Sequence, residues 1–164
     1  MPDFFPLFAQ AGVIAIQAGW LTVAVFDNWR HANLNERGFA EVLRMDLVAA
    51  NDPQAYKQIS YRRIESPKTE KRLFRLLVGA ETTVAGLLWL SALALLLAAI
   101  GILDAGIARS LATLAALGFV AIWGSLLVGG MWFFERIGMG AAMSGHYVLS
   151  IWGVATLIFL AVAP

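Results

Sequence analysis

Glu81 is the side chain of this sequence most able to do chemistry, because it is a carboxylate inside a long apolar run. A charge in a membrane span is costly unless it is paired, protonated or in contact with water. An ion or proton site, or a contact to a partner subunit, would use Glu81 directly. A structural pair would use it only to hold helices together, and Arg75, Arg136 and His146 stand at the same end of the apolar runs as candidate partners. The sequence favours the structural pair. Gln17 is a second polar side chain at mid-run depth, and Gln10, seven residues earlier, shares its helix face. Two histidines on facing helices can ligate a haem axially, and His31 and His146 fall at one membrane face. They border apolar runs instead of lying within them, so the expectation is two interfacial imidazoles, with no cofactor and with bound lipid.

Composition removes most other chemistry. With Cys 0 there is no disulfide, thiolate metal site or cysteine nucleophile, and His 2 cannot supply a His-rich metal centre. A net charge of +1, with basic and acidic residues interleaved, leaves no nucleic-acid footprint. No catalytic motif is present, and the expectation is a protein that is not an enzyme. Hydrophobic residues make up 60% of the chain and charged residues 14%, against about 45–50% and about 25% in soluble domains. Of the 12 Lys and Arg residues, only Arg109 and Arg136 lie outside 27–75; of the 11 acids, only Asp3, Glu81, Asp104 and Glu135 do. Charge this segregated cannot cover a soluble surface.

The elements that must position these side chains are therefore membrane spans. Four apolar runs, 4–26, 76–103, 110–134 and 147–163, approach or exceed the roughly 20 residues a helix needs to cross the hydrocarbon core. Lipid offers the backbone no hydrogen bonds, so each is read as an α-helix. The fold class is all-α: a membrane-spanning four-helix bundle, one domain over 1–164, with a polar, partly helical insert at 27–75. Only Met1, Pro2 and Asp3 precede the first run, which is not the basic lead-in of a cleaved signal peptide. Rows of small residues, Ala11/Ala15/Gly19, Ala112/Ala116 and Ser125/Gly129, read as intramolecular packing seams. Trp29 and Trp132 read as interfacial anchors. Trp20, Trp89, Trp123 and Trp152 lie deeper and read as packing before they read as a quinone or carotenoid cleft. Every Lys and Arg except Arg109 falls on the side of 27–75 and 135–146, which places the insert in the cytoplasm and both termini outside.

Within the insert, Asn33 and Glu36 resemble a capping box opening a helix to about Leu47. Phe39, Val42, Leu43 and Leu47 would share its apolar face, able to lie on the bilayer, cap the bundle or dock onto a partner. Asp52-Pro53 and Ser66-Pro67 are two further start signals, the second opening a helix from Pro67 to about Leu103.

Several motifs in order are similar to those of the DUF2165 family of predicted small integral membrane proteins. Asn35, Phe39, Val42-Leu43 and Met45-Asp46 resemble its asparagine, aromatic and V-L-x-M-D pattern. Tyr61-Arg62-Arg63-Ile64-Glu65-Ser66-Pro67 resembles its aromatic-R-x-I-x-S-P segment, Glu81 stands where the family carries a glutamate in the second span, and Gly129-Gly130-Met131-Trp132-Phe133 resembles its G-G-x-W-F stretch. The sequence departs at Met131, where an acid is expected, and downstream, where Glu135 and Arg136 stand. The resemblance implies a four-span bacterial inner-membrane protein and no established activity.

The functional expectation is a non-catalytic accessory or assembly subunit of a larger respiratory, photosynthetic or transport complex. Phe39, Val42, Leu43, Met45, Asp46, Tyr61 and Arg62 are its expected cytoplasmic docking surface, and Glu81, Gln17, Arg75 and Arg136 its polar contacts near or within the membrane. The partners would be the bilayer and other membrane subunits. The alternatives are a small membrane subunit of a solute transporter and, more weakly, a haem- or quinone-handling anchor.

Overall fold

A computed structural model describes residues 4–162. Met1, Pro2 and Asp3, and Ala163 at the end of the fourth predicted span, lie outside the described residues. Four helices are long and apolar enough to cross a membrane: α1 (Phe4–Arg30), α5 (Pro67–Ala99), α6 (Ala105–Trp132) and α7 (Arg136–Val162). Between the first two lie α2 (Ala32–Arg44), α3 (Asp46–Asn51), α4 (Pro53–Ile59) and a 3-10 turn, Ser60–Arg62.

Helix ends depart from the hydropathy boundaries where local hydrogen bonding overrules apolarity. α1 continues through Asp27 and Asn28 to Arg30. α5 stops at Ala99, short of the expected 103, because Gly101 takes φ 80 and the Ile102 N–H closes on the Leu97 carbonyl at 2.9 Å, the left-handed stop that glycine permits. α6 starts at Ala105, where the Asp104 carboxylate accepts the Ile107 N–H at 2.9 Å. The expected 135–146 loop is mostly helix: α7 begins at Arg136 and bends through Ile137–Met139, with Gly138 at φ 103.

α1 packs along α5, α5 along α6 and α6 along α7, while α1 meets α7 only briefly. Leu7, Ile14, Leu21, Leu88, Leu95 and Phe119 form the centre of one core that runs from the end remote from the insert to the middle of the bundle. Ala11, Ala112 and Ala116 are buried in it, so two of the small-residue rows serve intramolecular packing as expected. Gln10 and Gln17 both face inward: the Gln17 amide donates to Thr156 Oγ1 at 2.9 Å, joining α1 to α7, and Gln10 Oε1 accepts from Arg109 Nε at 3.3 Å. Below the insert, Trp20, Trp123, Trp152 and Phe119 meet edge to face with centroids 5.3–6.4 Å apart.

The insert folds back onto the bundle. Its first helix does not open with the Asn33 capping box: α2 starts at Ala32, directly after His31, with no side-chain cap. It ends at Arg44, before Leu47, because Met45 turns left-handed at φ 60, a conformation worth roughly 1–2 kcal/mol of strain that is held by complete burial of the Met45 side chain. The other two start signals act as read: Asp52 caps α4 through the Ala55 N–H at 2.9 Å, and Ser66 caps α5 through the Thr69 N–H at 3.4 Å.

The expected docking surface is divided: part of it turns inward, while Asp46 and Tyr61 stay exposed. Leu43 and Met45 are buried, and Phe39 packs against Phe74 of α5 with centroids 6.0 Å apart. Arg44 binds Asp46 at 2.9 Å and reaches the buried Glu70 at 3.2 Å. The Arg62 guanidinium lies 4.7 Å from the Trp132 ring centre and donates to the Trp132 carbonyl at 3.3 Å, a cation on a helix C-terminus. An apolar stripe on a short insert is covered more cheaply by its own bundle than by a partner.

Gly153 marks the tightest seam, since a Cβ there would lie 2.5 Å from Val120 and 3.1 Å from Phe119. Gly153→Ala should destabilise the protein by about 1–3 kcal/mol through overpacking, read as a lower thermal midpoint in detergent. Gly145→Ala on the same helix, with nothing within 4 Å, should leave it unchanged.

Candidate ligand chamber

At the end that carries the insert, α5 and α7 are not packed along each other, and the core does not extend between them. α5, α6 and α7 form the walls and α2 the roof of a cavity of about 1020 Å³, at the upper end of the roughly 300–1,000 Å³ of small-molecule sites. Apolar walls come from Phe39, Phe74, Leu77, Val84, Ile122 and Phe133, and the aromatic cluster closes the bottom through Trp123. Exposed Ala80, Ala121 and Ser125 mark where the chamber meets the outside of the bundle.

Glu81 faces this chamber and is 3% exposed. Its partner is none of the three expected. Asn28, near the end of α1, donates its amide to Glu81 Oε2 at 2.7 Å, and Asn35 of α2 donates in turn to Asn28 Oδ1 at 2.9 Å. The relay from α2 through α1 to α5 is therefore neutral apart from the carboxylate itself. Arg75 is exposed. Arg136 is exposed with its guanidinium 5.1 Å from the Phe134 ring centre, and His146 stacks on Trp123 with centroids 5.7 Å apart. Lengthening α1 to Arg30 is what brings Asn28 within reach.

Glu135 is the second acid of the chamber. Its N–H closes the end of α6 on the Gly130 carbonyl at 2.8 Å, with Phe134 left-handed at φ 56. A Cβ on Gly130 would collide with the Glu135 carboxylate, so the glycine leaves room for it. Glu135 is 9% exposed, its carboxylate has no hydrogen-bond or ion-pair partner among the described residues, and burial pushes its carboxyl above the usual range. Trp123 Nε1 and His146 Nδ1 are likewise buried without a partner among the described residues.

Of the residues singled out from sequence, the structure brings Glu81, His146, Phe39, Val42 and Leu43 to the chamber. Gln17 is in the core, remote from it. His31 is exposed at the head of α2 and does not line the chamber that holds His146. Trp29 and Trp132 are exposed at span ends as expected, Trp29 also donating to Thr82 at 3.2 Å. Sequence reasoning missed Asn28 and Glu135 as site residues. Asn28 had no clear sequence signal, because its bond to Asn35 depends on the turn at His31 between α1 and α2. Glu135 had none, because its burial depends on the turn after α6.

The Asn28–Glu81 contact should behave as a coupled pair. Asn28→Leu should lower the thermal midpoint by leaving a buried carboxylate unsatisfied, while Glu81→Gln, which can keep the amide bond, should be milder. Double-mutant cycles between Asn28→Leu and Glu81→Leu should give a coupling of about 1–3 kcal/mol. Additive losses would mean that the contact does not stabilise the fold.

No curated protein and no solved structure matches this chain. One family does, described as predicted small integral membrane protein, over residues 7–163. That match takes in the first span from Leu7 onward, the insert and the other three spans whole. The chain belongs to the DUF2165 family of predicted small integral membrane proteins.

Proposed function

We propose that this membrane protein binds an amphiphilic small molecule in the chamber beneath its insert. The observation that carries this reading is the cavity of about 1020 Å³ with apolar walls, an aromatic base and a few convergent polar groups, Glu81, Asn28, Glu135 and His146. That composition is the one small-molecule sites use: apolar surface for binding, few polar groups for orientation. The opening at Ala80, Ala121 and Ser125 suits entry from the bilayer. The reading is one of binding, without a catalytic step. The distribution of basic residues supports an insert on the cytoplasmic side, and the resemblance to the family is what implies a bacterial inner membrane.

A second reading keeps the accessory or assembly subunit of a larger complex. The insert keeps Leu43 and Met45 from a partner but leaves Asp46 and Tyr61 exposed. What favours a partner is the opening itself, whose small residues Ala80, Ala121 and Ser125 would admit a neighbouring helix at close range.

Protein purified from its native membrane in mild detergent, extracted and read by mass spectrometry, tests the first reading. The expected result is about one retained amphiphile per chain, lost in Ala121→Trp, whose indole would occupy the chamber. A protein subunit retained in its place, sensitive to the same substitution, would favour the second reading. No difference in retained small molecules between the two proteins would overturn the first.

A further inference from the structure

We propose that the chamber selects an organic cation, an ammonium-bearing amphiphile without a phosphate group. The proposal rests on the chamber being a ligand site and names the chemistry of its ligand.

The charge distribution carries it. Glu81 and Glu135 both line the cavity and are both at least nine-tenths buried. Glu81 is met by a neutral amide, and the Glu135 carboxylate has no partner among the described residues. No Lys or Arg is among the residues lining the chamber. Three of the nearby guanidinium groups are engaged elsewhere, Arg44 with Asp46 and Glu70, Arg62 over Trp132 and Arg136 over Phe134, and Arg37, Arg72 and Arg75 are exposed outside the lining. A carboxyl group buried without a counter-charge is held protonated, and a cationic ligand is the partner that would let it ionise in place. Aromatic rings in the same walls, Phe39, Phe74, Trp123 and Phe133, add the second element of cation recognition, since ring faces attract ammonium groups.

The same arrangement rejects the other abundant amphiphiles. A phospholipid would bring its phosphate against two acids with no Lys or Arg to receive it, only the His146 imidazole and the Trp123 indole N–H, even where its headgroup carries an amine. A fatty acid would add a third carboxylate. A neutral quinone or alcohol would fit the walls but leave both acids without a counter-ion, and it could gain only if they were protonated and donated to it.

Chain-matched ligands separate these cases. The full-length protein in phosphatidylcholine nanodiscs is titrated by equilibrium dialysis with radiolabelled dodecyltrimethylammonium, dodecanol and dodecanoate, and partition into protein-free nanodiscs is subtracted. The ammonium should bind at about one per chain and about tenfold or more tighter than the alcohol, with the carboxylate weakest. Glu135→Gln should bring the ammonium-to-alcohol ratio down toward one, and Glu81→Gln provides the same readout should the first variant not fold. Equal binding of ammonium and alcohol would overturn cation selection while leaving the amphiphile chamber standing. A preference for the carboxylate, or an ammonium preference unmoved in both variants, would also overturn it. Failure of all three ligands to bind would overturn the chamber reading itself.

Discussion

A carboxylate placed inside a membrane span, with only an amide to meet it, is the constraint from which the rest of this structure follows. Glu81 cannot face lipid, so α5 must turn it inward, and α1 must run far enough past the apolar boundary for Asn28 to arrive beside it. Asn28 in turn needs its carbonyl oxygen satisfied, and Asn35 supplies the donor from the first turns of α2. That fixes the insert: α2 must leave α1 after a single turn residue, His31, and lie over the end of the bundle. A lysine or arginine in the place of Asn28 would have neutralised the acid and made a structural pair of it. The amide holds it in place without supplying a counter-charge.

Packing divides the molecule in two. In the half remote from the insert, alanines and leucines bring the helices together, with Gln17 and Thr156 forming a cross-link between the first and last spans. In the insert-bearing half, α5 and α7 flank α6 without joining, and small residues such as Ala121 and Gly129 leave space where larger side chains would have filled it. The insert covers that space with Phe39, Val42 and Leu43, and the Arg62 guanidinium secures it by sitting on Trp132 at the end of α6. Stability is thus concentrated at one end and the chamber placed at the other, a division expected of a fold that holds a ligand.

The spans, their number and the helical insert were legible in the sequence, because lipid forces apolar runs of this length into helices whatever their neighbours do. Caps at Asp52 and Ser66 were legible for the same reason: they are local. Less legible was anything decided between elements. The inward face of α2 reads identically whether it covers its own bundle or a partner. Glu81 could be recognised as costly from its position alone, but its partner came from Asn28, and nearby cations were the more obvious choice. Glu135 looked like a loop charge, and only the left-handed turn at Phe134 and the room left by Gly130 bury it.

Water and ligand access at mid-membrane depth is the property on which the account turns. Ala121 lines the chamber about 16 Å from the Trp132 end of α6, counting 1.5 Å per residue. Because the native chain has Cys 0, a single cysteine at that position can be labelled without interference. Maleimide reacts with thiolate, which forms only where water reaches. The account predicts that Ala121→Cys in nanodiscs labels readily and that a saturating amphiphile slows the labelling, while Ala116→Cys in the core stays unreactive. Equal silence at both positions, or labelling at Ala121→Cys indifferent to amphiphile, would contradict a ligand chamber in this fold.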